Sequence, residues 1–289
     1  DTDDFCVGKN ILTVNRSLAL QEILSSAIGG KQSQKIIDIH DGHYQASASP
    51  VMSGNAVSGI ALLIFDVTER ENSEQMRREF TANVSHELRT PLHSISGYAE
   101  LLKNGMVKSG DVKPVATKIY DEAQRMVRLV EDIINLSHLD EGAEDMIKEE
   151  VDLYDIVSST IESLSPEAEA AGVTVSFSGR HVSVNGISQL LSGIVYNLCD
   201  SVSVSLSSED KDAVLTVSDT GIGIPTEHQQ RIFERFYRVD KSHSKEVGGT
   251  GLGLSIVKHA AKIHDAKIKL SSVPDQGTEI TVIFPKSLS

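Results

Sequence analysis

His86 is followed at once by Glu87, with Thr90 four positions on and Pro91 five positions on, in the stretch SHELRTP at 85–91. A carboxylate beside an imidazole can take the proton from one ring nitrogen and leave the other as a nucleophile. Thr90 falls one helical turn from His86, on the same face, where its hydroxyl can orient a water. Pro91 has no N–H to give the carbonyl of Glu87, and its ring crowds that carbonyl. The spacing therefore predicts a helix that bends just after the His-Glu pair. Taken alone, the set also reads as a surface helix with an incidental proline.

Two glycine-rich stretches lie downstream. DTGIGIP at 219–225 follows the apolar run AVLTVS. Asp219 leaves the strand end as an acceptor for an exocyclic amine, and Gly221 and Gly223 let the backbone approach a ligand closely. GGTGLGLSIVKH at 248–259 runs from Gly249, Thr250, Gly251, Leu252 and Gly253 into an apolar helix. Such a loop, with the helix N-terminus behind it, makes a phosphate site. No Gly-Lys-Ser/Thr follows, so it is not a P-loop, and no βα unit opens with it as in a dinucleotide fold. Between the two loops, Phe233, Phe236 and Tyr237 are expected to anchor a polar, mobile segment at 240–246, with Arg235, Arg238 and Lys241 able to meet phosphate charge. A Gly-rich turn and a solvated basic helix end are the plainer readings of these pieces taken singly. Together they reverse the odds for His86.

Elements must hold these groups in place. Residues 1–70 read as mixed α/β: a helix over NRSLALQEILSSAI, then three strands, with Gly54-Asn55 as a hairpin turn between the last two. From Glu71 the apolar period becomes helical, through Phe80, Val84, Leu88, Leu92, Ile95, Ala99 and Leu102. A loop with Gly105, Gly110 and Pro114 leads to a second stripe: Val115, Ile119, Ala123, Met126, Val130, Ile133 and Leu136. This antiparallel helical hairpin cannot bury both stripes alone, so a homodimer forming a four-helix bundle is expected. DEGAEDMIKEE at 140–150 reads as a linker. From Val151 the pattern is α/β, with helices near 153–171, 186–199 and 252–264.

The net charge of −14 argues against a nucleic-acid footprint. Cys6 and Cys199 have no metal-type spacing and imply no disulfide framework; Cys199 reads as a small core residue. His40, His43, His93, His138, His181, His228, His243, His259 and His264 show no ligand spacing with carboxylates or cysteines. No apolar run is long enough to cross a bilayer, and no signal peptide is evident. Because the first residue is Asp1 rather than Met, the chain is expected to be a fragment, with any membrane anchor upstream.

FTANVSHELRTPL, DTGIGIP, RIFERFYRVD and GGTGLGLSIV, in that order, resemble the histidine, first glycine, phenylalanine and second glycine boxes of bacterial two-component sensor histidine kinases. The resemblance covers residues 72–286, and among subtypes it is nearest the phosphate-regulon sensors. The part ending FDVTERE is similar to the end of a PAS sensor domain running into a signalling helix, with the early strands missing. The resemblance implies a multidomain α+β chain. Residues 1–70 would be a partial PAS α/β domain and the start of the signalling helix. Residues 71–147 would be the dimerisation and phosphotransfer hairpin. Residues 148–289 would be a two-layer α/β sandwich that binds ATP with Mg²⁺.

By that resemblance His86 accepts the phosphoryl group, Glu87 is its base, and Thr90 serves phosphatase action on a response regulator receiver domain. Asp219 binds adenine, Gly221 and Gly223 form the turn facing the nucleotide, and Arg238 reaches the γ-phosphate. Lys241 and the 249–253 loop lie near the phosphates, and Asn197 is a Mg²⁺ ligand. The implied setting is the cytoplasmic part of a membrane-anchored bacterial protein. One departure stands out. The family carries a second asparagine four residues after the first, but here that position is Ser201, and a strand-like alternation begins at once. Two readings follow: a degenerate site, leaving a nucleotide-binding scaffold without kinase activity, or a sequence that skips a stretch of helix there. The intact boxes elsewhere favour the second.

Overall fold

The computed structural model describes residues 17–140, 146–170, 172–199, 203–209, 212–239 and 249–286. The chain divides into two compact units, Asp1–Val84 and Ser85–Ser289.

In the first unit Ser17 caps helix α1 (Leu18–Ile28), its side chain accepting a hydrogen bond from Leu20 N–H at 3.2 Å. That satisfies one of the amides a helix start leaves over. Strands β1 (Ser33–Ile39), β2 (Gly42–Ser53) and β3 (Ala56–Asp66) form an antiparallel sheet in chain order. The Gly54-Asn55 turn is where the sequence places it, with Gly54 at φ 63° and Ser53 opposite Ala56. Leu20, Ile23 and Ala27 of α1 bury against Ile37, Ala46 and Ala48 of the sheet. Thr68 opens α2 (Thr68–Lys103), with Asp66 accepting its N–H at 2.9 Å and Glu69 and Glu71 in the first turn. Acids at that end favour the helix dipole.

Helix α2 runs through Pro91 without interruption into the second unit, and Pro91 is buried. A short 3₁₀ turn (Ser109–Asp111) precedes α3 (Val112–Asp140). Lys118 Nζ lies 5.6 Å from the centroid of the Tyr98 ring, so the two helices run side by side as the hairpin. Leu129, Leu136 and Leu139 of α3 are buried, whereas Leu92, Val127, Val130 and Ile134 stay exposed.

The rest of the unit is a two-layer sandwich. Strands β5 (Ser176–Gly179), β7 (Ser203–Glu209), β8 (Asp212–Ser218), β10 (Gly277–Pro285) and β9 (Lys267–Val273) form one sheet in that order, parallel only between β5 and β7. Alternation gives the sheet one apolar face: Ala213, Leu215 and Val217 of β8 beside Ile280, Val282 and Phe284 of β10. Onto it pack α4 (Leu153–Ala170), α5 (Ser188–Leu198) and α7 (Gly253–Ile263), through Leu153, Val157, Leu191, Ile194, Val195 and Val257. Full burial of each such side chain contributes roughly 1.5–3 kcal/mol. The opposite face is polar, with Ser203 Oγ 2.7 Å from Ser218 Oγ and Thr216 Oγ1 3.3 Å from Thr281 Oγ1.

Two short strands are additions to the sequence reading. β4 (Glu149–Asp152), which begins in the last two residues of the expected linker, pairs antiparallel with β6 (Ser183–Gly186). Further on, α6 (Thr226–Gln229) is a single turn. His264, a polar residue in the core at 3% exposure, bridges two elements. Its Nε2 accepts from Ile187 N–H at 2.9 Å, and its Nδ1–H donates to Ala260 O at 2.7 Å. Burial depresses its pKa, and the Ala260 bond opposes that only in part.

Candidate active site

Helix α2 displays His86 with its side chain 77% exposed, open to a reactant from solvent. Glu87 Oε1 stands 3.7 Å from His86 Nδ1, too long for a hydrogen bond and close enough for a carboxylate to draw a proton after a small rotation. Thr90 Oγ1 donates to His86 O at 3.3 Å, which keeps its hydroxyl on the histidine's face of the helix.

Strand β8 ends at Ser218, and Asp219 follows with its carboxylate fixed by the backbone. Oδ1 accepts Gly221 N–H at 2.7 Å and Thr278 N–H at 3.3 Å, while Asp219 N–H donates to Thr278 O at 2.9 Å. The close approach depends on glycines. At Gly223, with φ 65°, a Cβ would meet Val273 O at 2.1 Å, and at Gly277, with φ 101°, one would meet Asp219 O at 2.0 Å. Gly277 and Thr278 thus belong to the Asp219 turn, and the sequence reading missed them. The only available signal was a glycine at the start of an apolar strand.

The second cluster forms where α7 begins. Asn197, near the end of α5, donates Nδ2–H to Gly193 O at 2.8 Å. Its Oδ1 faces α7 so closely that a Cβ on Gly253 would lie 2.7 Å away. An amide oxygen held at the start of a helix is the kind of hard donor Mg²⁺ accepts, so Asn197 would fit that ion. Gly251, at φ 74°, packs against the Phe236 backbone, and Phe236 N–H donates to Gly251 O at 2.9 Å. That bond joins the two ends of the 237–250 segment. Tyr237 is held at its base by His228 Nδ1, 2.6 Å from its hydroxyl, and by the Arg231 guanidinium 4.3 Å from the ring centroid. His228 and Arg231 thus hold Tyr237, while the 240–246 segment it is expected to anchor lies outside the described residues.

Arg238 packs beside Gly251. It is half-buried, and burial together with the nearby Arg125 of α3 lowers its pKa, while Glu87 opposes that. The guanidinium thus sits in the field of the carboxylate beside His86. On the same side Thr250 Oγ1–H donates to Asp132 Oδ2 of α3 at 2.6 Å. Where α3 passes α5 and α7 a cavity of about 290 Å³ remains, with Asn135, His138, Leu190 and Asn197 in its wall.

Gly249 is described and makes no close approach that would exclude a side chain. Lys241, the whole 240–246 segment, and Ser201 with its neighbours lie outside the described residues. Helix α5 ends at Leu198, and the next described strand begins at Ser203. His181 departs from its expected lack of ligand company: Nδ1 lies 2.8 Å from Asp152 Oδ2 and 3.9 Å from Asp155 Oδ1. Burial raises the pKa of Asp152, but hydrogen bonds from His181, Tyr154 N–H and Val182 N–H outweigh it and leave it lowered. The residues meet through the β4–β6 pairing, which no spacing along the chain announces.

Residues 157–288 match the family of histidine kinase-, DNA gyrase B- and HSP90-like ATPases, and residues 76–142 match the His kinase A phosphoacceptor domain. The chain thus carries a phosphoacceptor domain and an ATPase domain of the histidine kinase type. The sensor kinase WalK of Staphylococcus saprophyticus is 35% identical over 247 residues, 79% of this chain and 40% of that protein. WalK of Bacillus subtilis is 35% identical over 243 residues, with the same shares. The chain thus spans about 40% of the length of these relatives, which carry the WalK name rather than a phosphate-regulon one. Among solved structures, the Acinetobacter baumannii histidine kinase AdeS superposes with a TM-score of 0.56 at 21% identity, over 70% of this chain and 98% of its own. Histidine kinase ThkA, solved in complex with the response regulator TrrA, gives 0.56 at 19% identity, over 99% and 89%. These likenesses bear on fold: a phosphoacceptor hairpin and an ATP-binding α/β domain.

Proposed function

We propose that the chain phosphorylates its own His86 from ATP and passes the phosphoryl group to an aspartate of a response regulator receiver domain. The observation that supports this is a solvent-facing His86 with the Glu87 carboxylate 3.7 Å away, in a chain that also carries the glycine-built Asp219 turn and the glycine loop at the start of α7. Asp219, fixed by Gly221 and Thr278, receives the adenine amine. The 249–253 loop and the start of α7 take the phosphates through backbone N–H groups. Asn197 would hold Mg²⁺, which when bound neutralises charge on the phosphate oxygens. Glu87 draws the proton from one imidazole nitrogen while the other attacks the γ-phosphorus, the bond from that phosphorus to the β–γ bridging oxygen breaks and ADP leaves, and Arg238 balances charge on the transferring group. Positioning and charge neutralisation supply most of such catalysis. Thr90 is suited to orient the water that later removes phosphate from the regulator. A homodimer, a partial PAS origin for the first unit, and attachment to a membrane through a segment outside this chain belong to the same reading.

Transfer is tested by phosphorylating the chain with labelled ATP, removing the nucleotide, and adding receiver domains. Label should move to a wild-type receiver and not to one with its acceptor Asp→Asn. A stable phospho-chain that gives label to no receiver would contradict the relay. A second reading, a nucleotide-binding scaffold without kinase activity, is favoured by the end of α5 at Leu198 and by Ser201 where the family has its second asparagine. It predicts ATP binding with no label on His86.

A further inference from the structure

An anion already stands at the start of α7. Thr250 Oγ1–H donates to Asp132 Oδ2 at 2.6 Å, and Thr250 Oγ1 in turn accepts Leu252 N–H at 3.3 Å, at the residue that caps the helix. The first amides of a helix of this length, with the glycine loop before them, are where a phosphate would bind. Asp132 comes from α3, 118 residues away in the chain, so its presence reflects docking of the hairpin rather than local turn chemistry. The carboxylate is half-buried, and among the described residues no Lys or Arg is within ion-pair distance; Arg128 acts only at longer range. Burial raises its pKa, and the Thr250 hydrogen bond offsets only part of that, as does Arg128 against Glu131. The carboxylate is thus held by a hydroxyl that is itself fixed at the helix start, beside the amides that would otherwise serve an incoming phosphate.

We infer that Asp132 stands in for a nucleotide phosphate at the start of α7, so that hairpin docking through Thr250 and binding of ATP oppose each other. This rests on the ATP-binding reading above and adds its regulation. Two anions cannot share the site without strong repulsion. ATP must therefore displace the Asp132 contact, and any signal that tightens the hairpin against the nucleotide domain weakens ATP binding by the same factor. The contact is an internal competitor, built from a residue outside the nucleotide domain.

Calorimetric titration of the whole chain with the ATP analogue AMP-PNP, in Mg²⁺, tests this on wild type, Asp132→Asn, Asp132→Ala and Glu131→Gln. The asparagine variant keeps the hydrogen-bond acceptor and loses the charge. Both Asp132 variants should bind at least about fivefold tighter than wild type, the lower end of ordinary coupling, and Glu131→Gln should bind as wild type does. Unchanged or weaker binding by the Asp132 variants would overturn the inference. So would tight binding by Asp132→Ala with wild-type behaviour in Asp132→Asn, which would make the contact one of shape rather than charge. A similar gain in Glu131→Gln would reduce the effect to general acidity and overturn it as well. No binding by any of the four would overturn the ATP-binding reading itself, and this inference with it.

Discussion

At the scale of residues, His264 makes the sharpest forecast. It is buried and neutral, bonded through both ring nitrogens, and burial depresses its pKa from an ordinary 6.5. A depressed folded value means that the unfolded chain takes up the proton first. The stabilisation is therefore complete above about pH 6.5 and is lost as the pH falls from there through the folded value. Thermal melts of wild type between pH 8 and pH 5 should show stability falling below that point, with a slope of at most about 1.4 kcal/mol per pH unit from this group. His264→Gln, which can still accept from Ile187 N–H, should flatten that part of the curve. An identical slope in the variant would remove His264 from the account.

The chemistry-bearing residues were legible at this scale because each follows a local rule. His86, Glu87 and Thr90 share a helix face, and Asp219 leads a glycine turn at a strand end. Their supports were not legible, since they arrive from elsewhere in the chain. Thr278 meets Asp219 across 59 residues and Asp132 meets Thr250 across 118. Asp132 in sequence is only a polar position between apolar ones on a helix.

At the scale of elements, the hairpin was readable from its 3.6-residue period, and its unsatisfied face has consequences. Val127, Val130 and Ile134 of α3 follow one another at helical spacing and remain 50%, 42% and 49% exposed, with Leu92 of α2 at 53%. An apolar stripe of this kind seeks a second helix pair. Light scattering should give a mass of about twice 31.3 kDa for the chain. Val127→Lys combined with Ile134→Lys should give a monomer with a less helical, less stable hairpin. A dimer that survives both lysines would place the interface elsewhere. The four-residue strands β4 and β6 escaped the sequence reading for the opposite reason. EEVD and SVNG are too short to show alternation, and each is a strand only because the other pairs with it. The expected consequence of Pro91 also needs restating. The helix continues through it without a break, and the proline is buried.

For the whole molecule, the account joins a solvent-facing histidine on a helical hairpin to a nucleotide domain with the glycine-built Asp219 turn and the glycine loop at the start of α7. Neither part explains the other alone. A gyrase- or chaperone-type ATPase has no use for a His-Glu pair on a helix, and a helical hairpin has no source of phosphoryl groups. The departure at Ser201 weighs on the same question, since a lost phosphate-side turn would leave binding without transfer.

The most direct test is autophosphorylation with γ-labelled Mg-ATP, wild type beside His86→Ala, followed by acid and alkali treatment. The account predicts a label that is acid-labile, alkali-stable and absent from the variant. Nucleotide binding without any label, or a label that persists in His86→Ala, would contradict it.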